Sequence, residues 1–458
     1  MISYTEDLIA NIIATNFDSL DKETVERAKW RILDSVGVII AGANGVGNDA
    51  LLKLVKKWGG PEESTILVHG GKALAQNVAM MNSLMMRSFD FEAIEAEGEN
   101  KTSSPAHISG STVPTALAMA EKQAASGKDM IAALVLGDDV ACRIAAASGF
   151  DVYGGWDNTG TVNAFGATAI AGKMLNLNQR QMRDAFGIVL NQLGGTMENV
   201  NDKAMTFKLP IALAARNGIF AAELAQQGFH GPKDALFGNK GYFAQYTKNA
   251  DTRNLTRDLG KKFFADCVIK PYASCRATHP SIDAVMKIVT SQEISIDDIE
   301  KIIIHVTPRT LKGFVGQPFV IGETPQVDAA FSIRYTAACA ILRKSVRPEH
   351  FTLEAITNPG VNTLLDKMEL VDTLPPDEYQ TAEVDIIMKD GEKYHARTDV
   401  PKGDIFKNPM TQEEIISKYK LNVAYSKTIS EQKAEEALRM LLSLEELDDI
   451  RKLTGLLC

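Results

Sequence analysis

Within residues 270–283, KPYASCRATHPSID, a lysine, an arginine and a histidine crowd around one cysteine. Such a cluster could serve as a thiol nucleophile with its base, a metal site or a cationic cradle for an acidic substrate. Cys275 and His279 are four residues apart, within reach of one another on a helix, so a thiolate–imidazolium pair has the right spacing. A lone cysteine beside a histidine is more often structural, and the sequence offers no group to orient the base, so thiol chemistry ranks last. Iron–sulfur hydration needs clustered cysteine ligands that this chain lacks. The third reading fits better. His279 beside the fixed charges of Lys270 and Arg276 suits proton transfer at a carbon next to a carboxylate, where cations lower the barrier to carbanion-like charge. The plain alternative is that the two cations are solvated and His279 caps a helix.

Three further stretches carry candidate groups. In RSFDFEAIEAEGENKTSSPAHISGSTVP, Asp90 falls at a helix end and His107 just before the next helix, expected to begin near Pro114. The glutamates Glu95, Glu97 and Glu99 between them read as a solvated acidic loop. GGWDNTGTVNAFG sets Trp156 and Asp157 in a glycine-rich turn before a small-residue helix, and NDKAMTFKLPIALAARNG brings Lys203 and Lys208 into an apolar helix, where a lysine more often snorkels than catalyses. One motif is a false lead. Gly42, Gly45 and Gly47 spell G-x-x-G-x-G, not the dinucleotide-binding order, and read as an interhelical turn.

The elements that must position these groups follow from composition and periodicity. The 458 residues are 45% hydrophobic, 23% charged and 7% aromatic, which suits two or three globular domains. With 49 Lys+Arg against 58 Asp+Glu, the net charge of −9 disfavours nucleic acid and anionic membranes, so an acidic substrate needs a locally basic pocket. Five scattered cysteines, acidic residues near the N-terminus and no long apolar run predict a cytoplasmic protein without disulfides or membrane spans. Residues 5–265 read almost wholly as helix, with Asp21 as an N-cap and a methionine-rich stripe as core. After residue 270, IEKIIIHVTPRT and AEVDIIMKDGEKYHARTDV read as strands, and a Thr411–Glu414 capping box opens a helical tail. The expected fold is mainly α with an α+β lid: residues 1–268 and 403–458 form an all-helical domain from both chain ends, and residues 269–402 form the lid.

Taken in order, these stretches resemble the MmgE/PrpD family, which includes 2-methylcitrate dehydratase, cis-aconitate decarboxylase and iminodisuccinate epimerase. The likeness runs from DSVGVIIAG through KPYASCRATHP to PKGDIFKNPMTQEEI. It implies a homodimer, an active site between the domains with no metal or organic cofactor, and a small di- or tricarboxylate as substrate. Dehydration, decarboxylation or epimerisation would proceed by proton transfer at the α-carbon. By this resemblance His107 is the principal acid/base and Asp90 orients it. Lys208 and Lys270 hold carboxylates, Asp157 or His279 serves the opposite face, and Arg276, Tyr335 and Lys203 help bind substrate. A non-catalytic carboxylate-binding paralogue is the rival expectation.

The chain departs from the family pattern at three places. Glu92-Ala93-Ile94 stands where an aspartate and a threonine are expected, Trp156-Asp157 replaces a Trp-His pair, and Lys208 sits one position late with Pro210 in a histidine's place. A carboxylate at 157 cannot donate a proton near neutral pH unless burial raises its pKa, and it adds negative charge beside an anionic substrate.

Overall fold

The Lys22–Gly42 helix begins where the sequence predicts, with the Asp21 side chain accepting from Thr24 N. It is the first long element in a computed structural model that describes residues 4–151 and 154–458. The chain is mainly helical, with one mixed four-strand sheet in its C-terminal region. The glycine-rich stretch after Gly42 is the interhelical turn expected of it, leading into the Asn48–Trp58 helix.

Alanine and glycine let the central helices approach closely. Val162–Met174 packs against both Gly127–Ser148 and Leu209–Gln226. A Cβ on Gly166 would lie 2.7 Å from the Gly137 carbonyl oxygen, so neither helix tolerates a larger residue at the crossing without moving apart. The methionine stripe Met80, Met81, Met85 and Met86 on the Ala75–Met86 helix is fully core.

Two expectations need correction. Residues 5–265 are not purely helical: β1 (Ser64–Thr65) pairs with β2 (Lys72–Ala73), and β3 (Ile94–Glu97) lies between β4 (Ser103–Ser104) and β5 (Asp266–Val268) in an antiparallel three-strand sheet. The supposed acidic loop is therefore a strand, and Glu95 and Glu97 are buried, Glu97 pairing with Arg27 at 2.6 Å. Second, the helix expected near Pro114 begins at Ser109, with Pro114 inside it. Asp266 on β5 accepts from Ile108 N and Ser109 N at 3.2 and 2.7 Å, capping that helix from outside its own sequence.

In the C-terminal region, β6 (Ile299–His305) pairs with β7 (Met368–Val371) in parallel and with β8 (Ala382–Met388) antiparallel, and β9 (Lys393–Thr398) completes the sheet beyond the Asp390-Gly391 turn. Val384, Ile386 and Met388 on β8 are buried, and the His279–Ser291 helix packs against β8 and β9. The Gln412–Ser426 helix, opened by the Thr411–Glu414 capping box, runs back to pack on Lys22–Gly42. Its Lys418 forms a buried ion pair with Asp34 at 2.7 Å and donates to the Phe91 carbonyl. Among the described residues no helix is long and apolar enough to cross a membrane.

Removing one partner of a buried pair strands the other charge, so Lys418→Ala should lower unfolding free energy by about 3–5 kcal/mol in urea titration. Replacing both partners, Asp34→Leu with Lys418→Met, should recover most of that loss; a single variant as stable as the parent would show that the pair does not hold the returning helix.

Candidate active site

The Ala75–Met86 helix ends in a 3₁₀ turn, Arg87–Phe89, after which Asp90 adopts a left-handed backbone, φ 49°. That reversal folds Asp90 and Glu92 back over Arg87. Arg87 Nη1 donates to the carboxylates of both, and lies 2.8 and 3.0 Å from the two ring nitrogens of His107. The His107 Nδ1 is also 2.7 Å from Glu92 Oε1. An ionised carboxylate only accepts, so the proton sits on Nδ1 and Nε2 keeps the lone pair.

The three-strand sheet assembles this cluster. Glu92 immediately precedes β3, His107 follows β4, and Lys270 follows β5, so pairing Ala96 with Ser104 on one side and Asp266 on the other brings three distant segments together. Lys270 Nζ lies 3.0 Å from Asp90 Oδ1 and also donates to the Asp90 carbonyl. Within β3, Glu95 has a left-handed backbone, φ 68°, a costly conformation for a residue with a Cβ. Its carboxylate accepts from Ser103 Oγ at 2.9 Å and from Gln380 Nε2, and pairs with Arg276 Nε at 3.5 Å.

Arg87, Asp90, His107, Glu95, Arg276 and Gln380 border a cavity of about 550 Å³. Four of the expected site residues, Asp90, His107, Asp157 and Arg276, line it. Asp157 accepts from Thr159 N at 2.9 Å, and its loop is held by the bridge between Trp156 and Thr196. Arg276 donates to the carbonyls of Lys402 and Pro401.

The other five stand elsewhere. Lys270 is fully buried behind Asp90 and does not reach the cavity wall. His279 is also fully buried, with Nε2 3.2 Å from the Ser274 carbonyl oxygen and its ring edge-on to Tyr272. Tyr335 lies in the aromatic core between Phe319 and Phe351, donating to the His350 carbonyl. Lys208 donates to the Val46 carbonyl and Asn48 Oδ1, bracing an interhelical turn, and Lys203 has a left-handed backbone and does not line the cavity. Pro210 packs beneath the Asp157 loop, where Cβ atoms on Gly160 or Gly195 would meet its ring at 3.0–3.1 Å. Asp90, expected to orient His107, is not the carboxylate nearest its ring. Its Oδ1 is 3.8 Å from His107 Nε2, whereas Glu92 makes the short contact.

Electrostatics follow from this packing. Burial lowers the pKa of His107 and Arg87 lowers it further, against the opposing pull of Glu92 and Asp90, so the imidazole is neutral at pH 7. Burial would raise the Glu92 carboxyl, but Arg87 and then His107 hold it well below the usual range. Burial would weaken Arg87 as an acid-bound cation, yet Asp90 and Glu92 keep it firmly protonated. His279 falls well below its ordinary value through burial and then Arg276, so it is neutral as well. Burial brings Lys208 to about 8. The Cys275 thiol borders the cavity, but burial and the nearby Asp90 push it up to about 12, which leaves almost no thiolate at neutral pH.

Asp90, Glu92 and His107 have the types and proximity of metal ligands. Their donor atoms converge on Arg87 Nη1, however, so a guanidinium takes the place a divalent cation would need, and the residues do not fit a metal as arranged. The sequence reading passed over Arg87 and treated Glu92 only as a departure. The signal available for both was an arginine three and five residues before two acids at the end of an apolar helix.

The sequence pattern of the MmgE/PrpD N-terminal domain matches residues 6–254, and that of the MmgE/PrpD C-terminal domain matches residues 272–445. Cis-aconitate decarboxylase of Mus musculus is 28% identical over 99% of this chain and 93% of its own length. The Homo sapiens protein of the same name is 27% identical over 99% and 94%, and that of Aspergillus terreus (strain NIH 2624 / FGSC A1156) 25% over 96% and 93%.

Because burial lowers the His107 pKa, its Cε1 proton, identified by its loss in His107→Ala, should titrate with a midpoint below 6.5 in NMR titration. Glu92 is one of the groups raising that pKa, so Glu92→Gln should move the midpoint to still lower pH; a move upward would refute the assigned contact.

Proposed function

This chain belongs to the MmgE/PrpD family, and we propose that its cavity carries out cofactor-independent lyase or isomerase chemistry, moving a proton at the α-carbon of a small carboxylic acid. The observation that carries this reading is the placement of His107, whose Nδ1 lies 2.7 Å from the buried Glu92 carboxylate and whose ring borders the cavity beside Arg87.

In this reading His107 Nε2 takes the α-proton. Glu92 fixes the tautomer that leaves this nitrogen basic and stabilises the imidazolium that forms. Negative charge grows on the substrate carboxylate as the C–H bond breaks, and the guanidinium of Arg87, already oriented by two carboxylates, needs little reorganisation to meet it. Lys270 acts through Asp90, holding it in place rather than touching substrate. Asp157 faces the same cavity where an imidazole would otherwise stand. It can accept a proton or bind a donor, but a leaving group that needs protonation must look to His107 or water. Dehydration and epimerisation begin with this removal and differ in whether a leaving group departs or the proton returns to the other face, whereas decarboxylation forms the carbanion by breaking the C–CO2 bond and then needs a proton delivered to the α-carbon.

His107→Ala should reduce deuterium incorporation at the α-carbon, followed by proton NMR in D₂O over a panel of small carboxylic acids that includes cis-aconitate, by at least about 100-fold. The melting temperature should move by no more than about 4 °C. Equal exchange in variant and parent would remove His107 from the mechanism, and acids that stabilise the parent without any exchange would favour a binding paralogue.

A further inference from the structure

We infer that the substrate carries a single carboxylate on an extended apolar body, and is not a compact tricarboxylate. This rests on the α-proton reading above and narrows the substrate class of the same cavity.

The first observation is charge. Among the described lining residues, Arg87, Arg276 and Arg309 face Asp90, Glu95, Asp151 and Asp157, so three arginines meet four carboxylates and the wall is net negative. Each arginine already has an acidic partner: Arg87 pairs with Asp90 and Glu92, Arg276 with Glu95, and Arg309 with Asp151. Arg276 further spends both Nη atoms on backbone carbonyls. A tricarboxylate would bring three negative charges into a space with no surplus cation to receive them, and burying an unpaired charge is costly. One carboxylate is a different matter. Arg87 borders the cavity beside the base and presents it a guanidinium already oriented by Asp90 and Glu92.

The second observation is the rest of the wall. Phe150, Met197 and Val200 face the cavity from the N-terminal region, and Phe314, Val315 and Phe331 from the C-terminal region. Phe331 is itself fixed edge-on between Phe207 and Phe314, so this apolar surface is rigid. A cavity of about 550 Å³ lies in the range that takes a drug-sized molecule, roughly 300–1,000 Å³, and cis-aconitate would leave much of it unfilled. An alkyl or aryl substituent several carbons long would cover the aromatic and aliphatic surface and displace its water. The third observation is Asp157, a carboxylate at the cavity wall that would repel additional carboxylates on the substrate but tolerate an uncharged chain.

The test is isothermal titration calorimetry of the full-length protein with two probes, trans-2-octenoate and cis-aconitate, at fixed ionic strength. The parent should bind octenoate at least tenfold more tightly. Met197→Lys places a cation in the apolar wall at a half-buried position and should weaken octenoate and strengthen cis-aconitate, narrowing or reversing the preference. Equal or tighter binding of cis-aconitate by the parent overturns the inference, as does the absence of measurable heat with both acids. Deuterium at the α-carbon of cis-aconitate products, measured on the same samples, would in that event leave the α-proton reading standing, so the two failures are distinguishable.

Discussion

A buried guanidinium must be neutralised where it lies, and the geometry of the candidate site is organised around that requirement. Arg87 leaves the end of an apolar helix with little access to water, and two carboxylates and an imidazole converge on a single nitrogen of it. Asp90 reaches it only by taking a left-handed backbone, a conformation that aspartate tolerates better than most residues. Lys270 then balances the second acidic contact from the far side. Because each group is held by at least one opposite charge, the cluster is preorganised before any ligand arrives, which is the condition under which electrostatic catalysis is efficient.

The helical body explains how such a cluster is held in place. Small residues let the central helices pack backbone against backbone, and the returning Gln412–Ser426 helix covers the segment just beyond Asp90 through the Lys418 contact with Phe91. The short β4-β3-β5 sheet contributes little area, yet it decides which loops meet. Without it Glu92, His107 and Lys270 have no reason to share a site. Asp266 has a related effect at the helix that follows His107, capping it from a strand distant in sequence.

Substitutions relative to the family pattern become coherent when placed in this frame. Glu92 stands where an aspartate is expected and supplies the contact to His107 Nδ1, a distance its longer side chain can span from the start of β3. The lysine shifted to position 208 has turned away to brace the turn beside Asn48, and Pro210 has become packing for the Asp157 loop. Among the described residues no lysine lines the cavity, His107 is the one histidine that does, and Asp157 adds a carboxylate to the wall. The chain keeps one imidazole, one arginine-centred charge cluster and a broadly apolar wall.

The helical character, the capping residues at Asp21 and Thr411, the methionine core and the β-rich segment after residue 270 were legible in the sequence because they rest on local periodicity and local hydrogen bonds. Family membership was legible as well, since ordered motifs survive as text, and four of the residues singled out in the sequence, Asp90, His107, Asp157 and Arg276, line the cavity. What could not be read was which charges neutralise which. Strands of two to four residues carry almost no periodic signal, so the sheet that joins Glu92 to His107 was invisible, and Glu95 and Glu97 looked like solvated acids. Lys208, Lys270, His279 and Tyr335 have residue types suited to a site, but a side chain's direction depends on packing with segments far away in the chain, and that packing turned each of them inward. The sequence by itself determined the local elements and the inventory of reactive groups; the tertiary structure alone decided their pairing, because burial and Coulomb contacts act between residues that the chain keeps far apart.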